Sequence, residues 1–219
     1  MLVFEKLRPV EALYLVSRIR KEEFSIEDSF KAVMVYLTVM DFIKIEDNKF
    51  TLTTQGVWSL STKCTLRDYE LSVITALNKG DDIQEIVDIV DCYSFRKCCL
   101  NNGILMKKWV KFFRFFPAFV TTLTTEGDEL FFDLMHIESE LESLIASKKM
   151  MYADGISNAY AFPKMISGDD FKEYTKDVIN VSEGVTSLKL AVAVSSLCDK
   201  ITDDSSMLIS PVNFSSSSV

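Results

Sequence analysis

A single histidine, His136, stands in 219 residues. A serine or cysteine nucleophile needs a base beside it, so one histidine leaves little room for nucleophile–base chemistry. The chain also lacks a glycine-rich phosphate loop, HExxH, GxSxG and any EF-hand pattern. The paired acids Asp81–Asp82, Asp169–Asp170 and Asp203–Asp204 fall where helices start or loops run. A carboxylate there favours the helix dipole, which accounts for it better than acid–base catalysis does. The expectation is a protein that is not an enzyme, with His136 a solvated helix residue. The five cysteines, Cys64, Cys92, Cys98, Cys99 and Cys198, are odd in number and form no CxxC. With only a distant histidine they do not give metal-ligand spacing, so they read as small buried hydrophobes in a reducing compartment. No metal and no cofactor is expected. No uncharged stretch approaches the roughly 20 residues of a membrane-spanning helix, and MLVFEKLRPVE is not a basic segment followed by an apolar run, as a signal peptide would be. These readings predict a cytoplasmic chain that meets a membrane, if at all, from its surface.

What is present is a core-forming composition. The chain is 48% hydrophobic and 11% aromatic, enough to bury a sizeable core and to set wholesale disorder aside. Its net charge is −8, yet residues 92–125 hold no acid and six cations, Arg96, Lys97, Lys107, Lys108, Lys111 and Arg114. The remainder therefore carries −14. A polyanion would be repelled by most of this surface and tolerated only at that basic segment.

Punctuation along the chain suggests two similar units. Pro9 and Glu11 open a helix to about Glu22. Ser25 with Asp28 caps a second, and from Ala32 to Met40 that helix has no charge, the mark of a central one. IKIEDNKFTLT then alternates about a turn as a hairpin does, and the unit ends in TTQG. In the second unit Thr65 with Asp68 is expected to cap TLRDYELSVITALN. Short helices follow in DDIQEIVDIV and YSFRKCCLNNG, then the basic segment, then VTTLTTEG. FTLTTQG and VTTLTTEG are an internal repeat. The expected fold class is mostly α with small β-hairpins, as tandem winged-helix-like units at 1–62 and 63–147. A helical C-terminal region at 148–204 and a flexible tail at 205–219 follow. Thr125 with Asp128 is expected to cap DELFFDLMHIESELESLIAS, whose Leu130, Leu134, Ile137, Leu141 and Leu144 give one buried face. Ser167 with Asp170 is expected to cap FKEYTKDVI.

Residues 104–119, ILMKKWVKFFRFFPAF, fit two patterns. At helical spacing the four cations share one face. Against that, the valine and phenylalanines are strand formers and the first unit has a hairpin at the matching place, so hairpin pairing is the stronger reading. Hairpins are expected at Ile43–Thr53 and Ile104–Thr124, the second ten residues longer. Candidate binding residues are Arg96, Lys97, Lys107, Lys108, Trp109, Lys111 and Arg114. A solvated sheet face explains the same residues without any partner. An exposed Trp109 with the cations on one continuous face would favour binding.

The order of features resembles the Golgi phosphoprotein family over roughly residues 8–145. The likeness rests on VEALYLVSRIRK, on KAVMVYLTVMDFIKIEDNKFTL with its TQG turn, on LNNGIL and on VTTLTTEGDEL. It implies phosphoinositide binding at Golgi membranes and an adaptor role. The family's head-group pocket falls here on Lys21, Phe30, Ile89 and Cys92, so that pocket is not carried over. Two function classes remain: a non-enzymatic adaptor that binds protein and docks weakly at an anionic membrane surface, and a winged-helix DNA-binding regulator. For DNA, YSFRKCCLNNG would enter the major groove, with Arg96, Lys97, Asn101 and Asn102 at phosphates or base edges. The paucity of cations in that helix and the −14 elsewhere favour the adaptor.

Overall fold

The computed structural model describes residues 2–62, 65–81, 85–87, 92–112, 116–147, 156–157, 159–160 and 192–200. In chain order these form α1 (Leu2–Lys6), α2 (Pro9–Arg20), α3 (Ile26–Val39), β1 (Ile43–Glu46), β2 (Lys49–Leu52), α4 (Thr54–Ser59), α5 (Asp68–Lys79), α6 (Cys92–Asn101), β3 (Leu105–Phe112), β4 (Phe116–Leu123) and α7 (Thr125–Ala146). Residues 192–200 form a further helical segment. The two sheets are antiparallel hairpins, β1–β2 and β3–β4. The described chain is thus mostly helical with small hairpins, and residues 105–112 are strand rather than helix.

α3 is the centre. Every residue from Ser29 to Thr38 is buried, as expected of a helix without a polar side. Its one interior cation, Lys31, pairs at 2.5 Å with Asp199 of the 192–200 segment, which buries Val194, Leu197 and Cys198. Around α3 an aromatic cluster joins both units: Tyr69 meets Phe95 edge-on at 5.0 Å, and Phe24 lies between Phe95 and Tyr14. α7 buries Leu130, Leu134 and Leu141, and exposes His136.

The repeat is atomic in detail. In the first unit Thr53 ends the hairpin and caps α4: its Oγ1 accepts from Gly56 N–H at 3.1 Å and donates to the Asp41 and Phe42 carbonyls, while its N–H donates to Phe42 O at 3.1 Å. In the second, Thr124 Oγ1 accepts from Gly127 N–H at 3.0 Å and donates to the Gly103 and Ile104 carbonyls, and its N–H donates to Ile104 O at 3.0 Å. Only glycine fits three residues on, because a Cβ on Gly56 or Gly127 would collide with the Phe42 or Ile104 carbonyl oxygen. The turn into each hairpin matches as well. Phe42 and Ile104 N–H donate to Leu37 and Cys99, and Asp41 and Gly103 both have positive φ, 58° and 72°.

These contacts correct two caps and one register. α7 is capped by Thr124, not by Thr125 with Asp128, since the capping threonine must also close the hairpin. α5 is capped at Arg67 rather than Thr65: the Arg67 N–H donates to Glu70 Oε2 at 2.7 Å, three residues on. β3 starts at Leu105, with Leu105 opposite Leu123 as Ile43 is opposite Leu52, so the second hairpin is nine residues longer rather than ten. Ile104 is instead fully buried in the turn. α1 was not foreseen. Ser167, Asp170 and the tail fall outside the described residues.

The units meet through a reciprocal exchange. LRPVE and LRDYE place Arg8 and Glu11, and Arg67 and Glu70, 59 residues apart. Each glutamate accepts the N–H of its own arginine, from Arg8 at 3.0 Å and from Arg67 at 2.7 Å. Each arginine reaches across: Arg67 Nε bonds Glu11 Oε1 at 3.0 Å, and Arg8 Nε lies 3.1 Å from Glu70 Oε1 in a charge contact without hydrogen-bond alignment. Arg8 Nη2 donates to Thr65 O, and Arg67 Nη2 to Lys6 O, again 59 apart. Residue i meeting j while j's counterpart meets i's is the signature of a local twofold. Both glutamates are buried. Removing one partner of such a pair costs about 3–5 kcal/mol, because a charge is left buried without its mate.

Candidate functional site

The long hairpin β3–β4 is anchored at its base. Leu105 and Thr121 are buried, whereas every described side chain from Met106 to Val110 is exposed. Two arginines hold the base. Arg18 Nη2 donates to Thr121 O at 3.3 Å and Arg96 Nη2 to Thr121 Oγ1 at 2.6 Å. Eight residues per strand reach about 27 Å.

Further along the hairpin Trp109 lies opposite Phe119, with ring centroids 3.8 Å apart, and both are more than half exposed, at 60% and 58%. Two large aromatics paired in water are costly to leave uncovered. Side chains alternate along a strand, so Lys107 shares the Trp109 face, two residues and about 7 Å toward the base, while Lys108 stands on the opposite face beside Val120. Lys107, Lys108 and Trp109 are therefore all exposed but divided over two faces rather than one. Lys111 is placed in β3 by its backbone, opposite Pro117, and Arg114 lies outside the described residues.

The other two candidate cations belong to α6. Arg96 is partly buried, its Nη2 held by Thr121 and its Nε without an acceptor. Lys97 is exposed and lies 3.8 Å from Asp68 Oδ2. With Leu100 and Asn101 of α6 and Leu105, Met106 and Lys107 of β3 they line a cleft of about 550 Å³. The fold thus brings Arg96, Lys97 and Lys107 together, whereas Lys108 and Trp109 lie further out along β3. No acid lines this cleft.

The thiols of Cys98, Cys99 and Cys198 are poorly suited to nucleophilic chemistry. Burial pushes the Cys98 thiol up to about 12 and Cys99 and Cys198 higher still, so none offers a thiolate near neutrality. The side chains of Cys64 and Cys92 lie outside the described set. Among the described residues no three His, Cys, Asp or Glu side chains gather to hold a metal, and no helix is long and apolar enough to cross a membrane.

Sequence reading missed Phe119 and Thr121. Their signal is the register: once Leu105 and Leu123 are paired, Phe119 must face Trp109 and Thr121 must face Lys107. No protein-family model, curated protein or solved structure matches the chain.

Proposed function

We propose that this protein is a non-enzymatic adaptor, a body of two winged-helix-like units whose long hairpin docks weakly at an anionic membrane surface. The observation that carries the reading is the exposed Trp109–Phe119 pair on the long hairpin, with the exposed Lys107 and Lys108 beside it. Amphipathic aromatics settle at a membrane interface, and each nearby cation adds about 1 kcal/mol over anionic lipid, falling off within a Debye length. Lys107, Lys108, Lys111 and Arg114 together supply only a few kcal/mol, which suits transient docking rather than anchoring.

The DNA-binding alternative has less support. Of the two cations in α6, Arg96 is committed to Thr121, and the −14 carried outside residues 92–125 would oppose a phosphate backbone. The test is sedimentation with phosphatidylcholine vesicles containing phosphatidylserine, at low and high salt. Binding is expected at low salt, with little head-group choice. High salt, Trp109→Ala, or Glu at Lys107, Lys108, Lys111 and Arg114 should abolish it. Binding that is absent at low salt, or unchanged in the Glu variant, would mean that these lysines only solubilise the sheet. Nanomolar duplex DNA binding at physiological salt that is lost in Arg96→Ala/Lys97→Ala would reverse the ranking.

A further inference from the structure

The cleft at the base of the long hairpin has, Lys107 apart, residues that membrane docking does not use. It touches Leu105, Met106 and Lys107 of β3, three consecutive residues, and no residue of β4. Consecutive strand residues point to opposite faces, so a cleft touching all three runs along the edge of β3 rather than over either face. β3 pairs with β4 alone, so its other edge has no strand beside it among the described residues. Such an edge presents a row of backbone N–H and C=O groups suited to receiving one more strand. The far wall is α6, which contributes Arg96, Lys97, Leu100 and Asn101. Three cations, one amide and three apolar side chains surround a free strand edge, on a chain whose net charge is −8.

We propose that this cleft binds an extended acidic peptide of a partner protein, which adds as a third strand to the outer edge of β3. Backbone pairing to β3 supplies affinity. Carboxylates on the peptide meet Lys97 and Lys107, and its apolar side chains rest on Leu100, Leu105 and Met106. The occupant is a peptide rather than a compact phosphate because the cations do not converge on one point. Arg96 Nη2 already bonds Thr121 Oγ1 at 2.6 Å, Lys97 leans toward Asp68, and Lys107 stands on the other wall. The Lys97–Asp68 contact, at 3.8 Å with Asp68 almost fully exposed, is a weak exposed pair that a peptide carboxylate can replace. The proposal rests on the adaptor reading and names the partner chemistry, while the membrane contact centres on Trp109 and Phe119 further along the same hairpin and shares only Lys107 with the cleft.

The probe is a fluorescein-labelled decapeptide of alternating glutamate and valine, followed by anisotropy with the full chain. Saturable, salt-sensitive binding is expected. Lys97→Glu, an exposed helix position whose folding can be checked by circular dichroism, should weaken it about tenfold, or 1.4 kcal/mol. The same peptide N-methylated at two adjacent central amides, which blocks both of its own edges, should lose about as much. Trp109→Ala should leave peptide binding intact while it abolishes vesicle binding, so a failure of the membrane reading is told apart from a failure here. The proposal is overturned if the peptide shows no saturable binding, or if the N-methylated peptide binds as well as its parent. It is equally overturned if Lys97→Glu lowers vesicle sedimentation and leaves peptide binding unchanged, since the cleft then belongs to the membrane surface. Displacement of both peptides alike by millimolar inorganic phosphate would assign the cleft to a simple anion.

Discussion

Thr53 and Thr124 each close a hairpin, cap a helix and hold the carbonyl of the chain entering the hairpin, all with one hydroxyl and one N–H. This is why LTT-x-G survives as a readable repeat while the strands between have diverged in length. The glycine is fixed by distance, since its α-carbon faces a backbone oxygen that cannot move without breaking the hairpin. Gly127→Ala is therefore expected to destabilise by about 2 kcal/mol or more, the cost of overpacking against backbone. At about 2–4 °C per kcal/mol for a chain of this size, the thermal midpoint should fall by about 5 °C. A fall under 1 °C would show that the turn yields. The misplaced caps at Thr65 and Thr125 have the same lesson at residue scale. A Ser/Thr followed by an acid three residues on is a local signal, whereas the true caps answer to partners elsewhere: Thr124 to Gly103 and Ile104, and Arg67, with its N3 Glu70, to Glu11.

At the scale of elements, the two hairpins differ in what they need. β1–β2 is closed by the two-residue Asp47–Asn48 turn, whose positive φ angles of 50° and 57° suit a tight hairpin. β3–β4 runs on for nine more residues, beyond anything the body requires. Excising Val110–Ala118 and joining Trp109 to Phe119 through Asn-Gly would keep Thr121 with its two arginines and leave Trp109 opposite Phe119. The body should then unfold within about 3 °C of the parent, since the anchoring contacts at Leu105 and Thr121 are kept. Vesicle binding should drop, because Lys111 and Arg114 are lost and the aromatic pair becomes the tip of a stub. A large loss of stability would mean that the outer hairpin packs against the body. The hairpin reading was legible because strand-forming phenylalanines and the repeat agreed. Its division into two faces follows from the same strand reading, whereas the pairing of Trp109 with Phe119 depends on a register that shifts from Ile104 to Leu105.

For the molecule as a whole, the reciprocal Arg–Glu exchange makes stability depend on pH. Burial pushes Glu70 up from 4.5 to about 7, only partly offset by Arg8. A carboxyl with a raised pKa holds its proton more tightly when folded than when unfolded. Its contribution is thus fully present below about pH 4.5 and lost as pH climbs through about 7. A rise of roughly 2.5 units corresponds to about 3 kcal/mol at most. Urea unfolding of the parent minus that of Glu70→Gln should fall with pH between 4.5 and 7 and be flat above. A difference that does not vary over this window would mean that Arg8 keeps Glu70 ionised throughout.

The sequence alone determined the helical class, the central place of an α3 without charge from Ala32 onward, the two hairpins and the LTT-x-G repeat. Each of these is set by neighbours in the chain: periodicity, cap spacing, turn residues. It also fixed where the cations are. What only the tertiary structure decided is which of them act together. α6 packs against the base of β3, so Arg96 and Lys97 share a cleft with Lys107, while Lys108 and Trp109 do not line it. The exchange of Arg8 for Glu70 and of Arg67 for Glu11 was written as two plain LRxxE segments. It became a buried joint only when α2 and α5 met, because a charge pair acquires its strength from burial, and burial is a property of the fold rather than of the segment.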